Sequence, residues 1–130
     1  MSFGGEADEA TAGAIWRAAR DAGVNLIDTA DVYNEGRSEQ IVGRLMQHER
    51  DQLVVATKAY FPVAGAPATA PGENDRGTSR YHLVRAVEAS LKRLATDRID
   101  LYYLHRFDDV TALDESLRGL EDLVRAGKIL

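Results

Sequence analysis

Val24-Asn25-Leu26-Ile27-Asp28-Thr29-Ala30-Asp31-Val32-Tyr33 is a short apolar run that stops on a carboxylate and is followed five residues later by a tyrosine. Val24, Leu26 and Ile27 predict a buried strand over 24–29, held to strand length by Gly23 before it and polar residues after it. Two later segments have the same form. Leu53-Val54-Val55-Ala56-Thr57 runs into Lys58, and Ile99-Asp100-Leu101-Tyr102-Tyr103-Leu104 runs into His105. Each strand delivers one ionisable group at its carboxyl end. In a parallel α/β protein those ends share one face, and chemistry is built there. The pattern therefore predicts that Asp28, Tyr33, Lys58 and His105 meet in space.

Helical patterns separate the strands. From about Glu6 to Ala22, Ile15, Ala18, Ala19 and Ala22 fall on one side, with Asp8 and Glu9 placed to suit the helix dipole. Trp16 is expected to pack against the outer face of the sheet. Gly23 reads as the glycine that closes this helix in the left-handed conformation. Asn34-Glu35-Gly36-Arg37 reads as a turn, with Ser38 as N-cap of a helix carrying Ile41, Val42, Leu45 and Met46. Ser79 caps a third helix striped by Leu83, Val84, Val87, Leu91 and Leu94. Thr111 to Asp114 has capping-box spacing, followed by a stripe of Leu113, Leu117, Leu120 and Val124. Ala126-Gly127-Lys128-Ile129-Leu130 then repeats the syntax of Ala22-Gly23-Val24-Asn25-Leu26, and a strand remnant is expected at each end of the chain.

Strands alternating with helices imply right-handed β-α-β units. The expected fold class is α/β, a partial (β/α)8 TIM barrel, with residues 1–130 as a single domain. Eight such units need about 250 residues, so the chain holds the first half of them. Ala59 to Thr78, without periodicity, is a long loop directly after Lys58; it reads either as a wall of a substrate pocket or as a surface excursion.

Composition narrows the function classes. The 130 residues are 45% hydrophobic and 28% charged, the balance of a globular domain. A net charge of −5 gives no basic patch for nucleic acid or an anionic membrane, and no partner of either kind is expected. The chain has no cysteine, which excludes thiolate metal sites and Cys nucleophiles and fits a cytoplasmic location. The leading residues lack a signal-peptide pattern, and no apolar run approaches the ~20 residues that span a bilayer. His48 and His82 read as surface histidines on helices; the three histidines lack ligand spacing, so no metal is expected. Gly4-Gly5 and Gly36 do not form a G-x-G-x-x-G fingerprint. Asn74-Asp75-Arg76-Gly77 reads as a turn, and Arg106 is given no role.

Asp28-Thr29-Ala30-Asp31-Val32-Tyr33, Ala56-Thr57-Lys58 and Asp100-Leu101-Tyr102-Tyr103-Leu104-His105 together resemble the aldo-keto reductases, nicotinamide-dependent carbonyl reductases built on a (β/α)8 barrel. Gly36-Arg37-Ser38-Glu39 and Arg125-Ala126-Gly127-Lys128 extend the resemblance nearly end to end over the first part of the family's length. The resemblance implies a catalytic set of Asp28, Tyr33, Lys58 and His105. It implies NADPH as cofactor, NADH being the other form, and a small-molecule aldehyde or ketone as substrate.

The chemistry of these residue types agrees. A tyrosine delivers a proton to a developing alkoxide if its pKa, ~10 in water, is brought towards the working pH, and a nearby ammonium does this. Asp28 then keeps the Lys58 ammonium charged and placed, and His105 orients the carbonyl; Tyr33 and His105 are the substrate contacts. Singly, each has a plainer reading: Tyr33 as a half-buried aromatic, Lys58 as a solvated cation, Asp28 as an Asx turn and His105 as a satisfied buried histidine. Their coincidence at matched strand ends favours one site. Within these limits the resemblance supplies only Asp28, near the nicotinamide ribose, as a cofactor contact, so little activity is expected of the chain alone. The alternative is a non-catalytic half-barrel that self-associates through exposed sheet edges, or binds a ligand as a regulatory module.

Overall fold

The computed structural model describes residues 2–63 and 72–130. Among the described residues four helices alternate with three strands: α1 (Glu9–Asp21), β1 (Leu26–Asp28), α2 (Arg37–Leu45), β2 (Val54–Ala59), α3 (Arg80–Leu94), β3 (Leu101–Leu104) and α4 (Leu113–Arg125). Single 3-10 turns at Arg50–Gln52 and Glu73–Asp75 precede β2 and α3. The strands lie in the order β1-β2-β3, all parallel, with Asp28 opposite Ala56 and Lys58 opposite Tyr103. This is the partial α/β barrel architecture that the alternation predicts. An isolated parallel bridge joins Ile99 to Ile129, where the second strand entry is expected.

One face of the sheet is covered. Trp16, Val42, Met46, Leu53, Val55, Val87, Leu91, Leu94, Ile99, Leu123 and Ile129 form a single buried cluster. Because successive strand side chains alternate, the opposite face carries Leu26, Leu101 and Tyr103, which are 51%, 41% and 46% exposed.

Several local expectations are corrected. Residues 2–7 form a tight turn rather than a strand remnant: the Gly4 amide donates to Ala7 O at 2.9 Å and the Ala7 amide to Ser2 O at 3.0 Å. Helix α1 therefore starts later, with Asp8 as its N-cap accepting from the Thr11 amide at 2.8 Å. Its buried face is Ala12, Gly13 and Trp16, and Ile15 is exposed. The single large aromatic takes the core position, and small residues beside it let the helix approach. Helix α2 is capped by Gly36, not Ser38; Gly36 has φ +85, a conformation a side chain resists. Ser38 is instead buried, its hydroxyl 3.0 Å from that of Thr29.

In α4 the buried residues are Ser116, Gly119 and Leu123, while Leu113, Leu117 and Val124 are exposed. Close approach selects the small residues: a Cβ on Gly119 would lie 3.2 Å from Arg80 Cα. The capping box does not form, because Ala112 is the N-cap and the Thr111 amide donates to Asp108 at 3.3 Å. His82 is buried rather than on the surface, and burial lowers its pKa. His48 is exposed as expected.

Candidate active site

Each group sits at a strand end because its strand stops there. Asp28 closes β1, Lys58 is the last residue but one of β2, and His105 follows β3, its amide donating to Ala59 O at 3.0 Å. Tyr33 stands on the turn beyond β1. That turn is pinned to the sheet by the Asp31 amide, which donates to Lys58 O at 3.1 Å, and continued by the Tyr33 amide on Ala30 O at 3.2 Å. Asn34 and Glu35 adopt φ +50 and +60, so the chain leaves the rim sharply and enters α2.

The structure brings all four sequence-predicted residues together. Lys58 Nζ donates to both Asp28 oxygens, at 2.8 and 2.6 Å, and to Thr29 O at 2.8 Å. The Lys58 side chain is 15% exposed and the Asp28 side chain 53% exposed, so the cation is seated and the carboxylate faces outward. The same ammonium lies 5.2 Å from the Tyr33 ring centroid and 5.9 Å from that of Tyr103. The Tyr33 and His105 rings meet edge to face at 5.6 Å, with 77° between their planes. Burial lowers the His105 pKa, the Lys58 charge lowers it further, and Asp28 opposes both. Burial and the Lys58 charge thus favour the neutral imidazole, and its Nδ1 is buried with no hydrogen-bond partner among the described residues.

Three features around this cluster escape a sequence reading. The first is aromatic: Phe61 also packs edge to face on His105, at 5.5 Å, and Tyr60 on Phe61 at 5.1 Å. Only their position just after Lys58 marks them. The second is a polar layer beneath the rim. Glu39, fully buried, accepts from Thr57 Oγ1 at 2.6 Å and from Arg93 Nε at 2.6 Å. Next to it Asp31 is 1% exposed, and among the described residues neither its oxygens nor the buried Tyr102 hydroxyl has a hydrogen-bond partner. Burial first, and then the Glu39 charge, pushes the Asp31 pKa up to about 7 against the pull of Arg93. The third is the neck of the loop after β2, where the Gly77 amide donates to Tyr60 O at 2.8 Å. Residues 64–71, on which the pocket-wall reading of that loop largely falls, lie outside the described residues.

Among the described residues no three His, Asp or Glu side chains converge as a metal site, and no helix is long and apolar enough to cross a membrane.

Comparison with known proteins places these residues in context. The sequence profile described as the Aldo/keto reductase family matches residues 1–130. The chain is 38% identical over 130 residues to a probable voltage-gated potassium channel subunit beta of Oryza sativa subsp. japonica, covering 98% of this chain and 38% of that protein. It is 41% identical over 137 residues to the uncharacterized oxidoreductase YrpG of Bacillus subtilis strain 168, covering 99% of this chain and 41% of that protein. Aldo-keto reductase YhdN of the same organism is 41% identical over 127 residues, covering 96% of this chain and 37% of that protein. The chain thus spans about two fifths of the length of the curated relatives it matches.

Proposed function

Because the chain belongs to the aldo/keto reductase family, we propose that its rim residues serve NAD(P)H-dependent reduction of an aldehyde or ketone to the alcohol. The observation that carries this reading is the Lys58 ammonium held against Asp28 while lying beside the Tyr33 ring, with His105 on that ring's other contact. When bound, a nicotinamide cofactor supplies the hydride; NADPH is the form the resemblance favours. Asp28 fits as a residue that would hold it. Its exposed carboxylate keeps acceptor capacity for a ribose hydroxyl after bonding Lys58, since a carboxylate has about four lone-pair sites.

Tyr33 gives its phenolic proton to the carbonyl oxygen as negative charge develops there. The Lys58 cation stabilises charge left on the Tyr33 oxygen, and Asp28 keeps that cation in place. His105, neutral, donates a hydrogen bond from Nε2 to the substrate oxygen and turns the carbonyl towards Tyr33. Its buried Nδ1 leaves Nε2 as the nitrogen for that task.

The test is NADPH consumption with a generic aldehyde, by this chain and by the longest natural translation product containing it. The longer product is expected to turn over, and Tyr33→Phe to reduce its rate by about 10²–10⁴-fold, the worth of a positioned proton donor. The chain alone is expected to show little turnover, since the resemblance supplies it with Asp28 alone as a cofactor contact. Turnover indifferent to Tyr33→Phe, or none in any form, overturns the reading.

A second reading rests on the open sheet face. Leu26, Leu101 and Tyr103 are 41–51% exposed together on one surface, and such a patch favours association. A half-barrel that pairs with its own copy predicts a concentration-dependent dimer in sedimentation; a monodisperse monomer at all concentrations rules it out.

A further inference from the structure

The long segment after β2 is cinched where it begins and ends. The Gly77 amide donates to Tyr60 O at 2.8 Å, bonding residue 77 to residue 60. A residue from a different loop then takes hold beside that bond. Asp108, three positions after His105, accepts from the Thr78 amide at 2.8 Å and from the Thr78 hydroxyl at 3.1 Å through Oδ2. Through Oδ1 it accepts from the Val110 amide at 3.0 Å and the Thr111 amide at 3.3 Å. Thr78 is in turn held from below by Ser116, whose hydroxyl lies 2.9 Å from both Thr78 O and Thr78 Oγ1. Thr78 and Ser116 are both almost wholly buried, so this is a built joint and not a surface contact. Gly77 takes φ +85, a conformation a side chain resists, and a Cβ there would lie 2.8 Å from Asp108 Oδ2, which would have to shift.

The joint ties together two ring-bearing pieces of the rim. On one side are Tyr60 and Phe61, on the other His105; Phe61 and His105 are in edge-to-face contact at 5.5 Å. We propose that Asp108 is a positioning residue: it clamps Thr78 to the loop after His105 and, through the Gly77–Tyr60 bond, fixes Phe61 against the imidazole. The chemistry suits the task. One carboxylate with two oxygens serves two loops at once, and hydrogen bonds to a charged acceptor are the stronger kind. Burial would raise the Asp108 pKa, but the bonds from Val110, Thr111 and Thr78 outweigh it and hold the group well below the ordinary carboxylate range. It stays an acceptor throughout the physiological range. That the ring so fixed orients a carbonyl rests on the reading given under Proposed function.

The test uses nuclear magnetic resonance on the chain itself, without turnover, so that absence of reductase activity would count against the functional reading alone. The signals followed are the His105 ring protons, shifted by the ring currents of Tyr33 and Phe61, and amide exchange at Gly77. Asp108→Ala is expected to move the His105 signals towards those of a free histidine and to speed Gly77 exchange at least about tenfold, the worth of one hydrogen bond to a charged group. Asp109→Ala, which removes the same charge one residue away, is expected to leave both unchanged. If Asp108→Ala also loses the β2 and β3 amide signals, Asp108→Asn decides. Its amide group sets a donor against either the Thr78 or the Val110 N–H and breaks half of the clamp, so the same two changes are expected in smaller measure. Faster Gly77 exchange with unmoved His105 signals would overturn the proposal, as would an equal response to Asp109→Ala. Where turnover is measurable, Asp108→Ala is expected to raise KM for the aldehyde about tenfold with kcat changed less than about threefold, the signature of lost placement in ground and transition states alike.

Discussion

Lys58 is bonded to Asp28 through both carboxylate oxygens, yet the two partners are unequally open to water: the Lys58 side chain is 15% exposed and the Asp28 side chain 53%. An ion pair with one open member contributes little to folding, since exposed pairs are worth about 0–1 kcal/mol. Asp28→Asn is therefore expected to change the urea-unfolding free energy by less than about 1 kcal/mol. In any active form the same substitution is expected to lower kcat/KM for aldehyde by about 10²-fold or more, the scale of a lost catalytic acid–base contribution. A large stability loss with unchanged turnover would assign the pair to the fold instead.

Glu39 presents the opposite case. It is fully buried, bonded to Arg93 and Thr57 at 2.6 Å each, and removing it leaves Arg93 Nε and the Thr57 hydroxyl without their acceptor. Glu39→Ala is expected to cost about 3–5 kcal/mol, as when one partner of a buried pair is deleted. The exposed Glu121–Arg125 pair on α4 is the control: Glu121→Ala is expected within about 0.5 kcal/mol of wild type. Chemical denaturation of the two variants side by side checks both.

Asp31 makes stability depend on pH in a definite direction. Its pKa is about 7 in the fold, raised by burial and then by Glu39, against 3.8 when unfolded. Between those values the unfolded chain has lost this proton and the folded chain keeps it. The contribution is thus fully present below about pH 4 and is lost as pH rises through about 7, at up to about 1.4 kcal/mol per unit. Asp31→Asn keeps the shape and removes the titration. The wild-type minus variant difference in unfolding free energy is expected to fall between pH 5 and pH 7 and to level off above; a flat difference would show that Asp31 ionises freely.

At Gly43 the usual helix preference is expected to reverse. Alanine in place of an internal helical glycine normally stabilises by about 1 kcal/mol. Here a Cβ would lie 2.6 Å from Leu94 O and 2.8 Å from Arg93 O, so α2 would have to move off the end of α3. Gly43→Ala is expected to destabilise by about 1–3 kcal/mol, the range of overpacking. A rise in the thermal midpoint would refute this.

Much of this arrangement is legible in sequence because two signals there are strong. Apolar runs of strand length ending in Asp28, Lys58 and His105 fix which groups reach the rim, and a parallel sheet has only one such rim. The helix faces were harder to read. Ile15, Leu113 and Leu117 satisfy helical periodicity, but Ala12, Gly13, Ser116 and Gly119 take the buried places because neighbouring backbones come too close for larger residues. Periodicity counts apolar side chains and is blind to interaxial distance. The polar layer escapes for a related reason: Glu39 and Asp31 look like surface residues until Arg93, fifty-four positions after Glu39, is brought over them. The Asp108 clamp joins residues thirty positions apart in two loops without periodicity, where no pattern exists to be read.

The layer between sheet and helices also decides how the rim that carries Lys58 would tolerate repacking. Hydrophobic contacts permit small slips at little cost, whereas the bonds of Thr57 to Glu39, Glu39 to Arg93 and Thr29 to Ser38 are directional and admit one alignment. They act as keyways between β2, α2 and α3, indexing Lys58 from below. Exchanging that layer for close-fitting aliphatic side chains would be neutral or even favourable for folding, yet it would free the strand to drift along its own axis and blur the aim of the lysine at its tip.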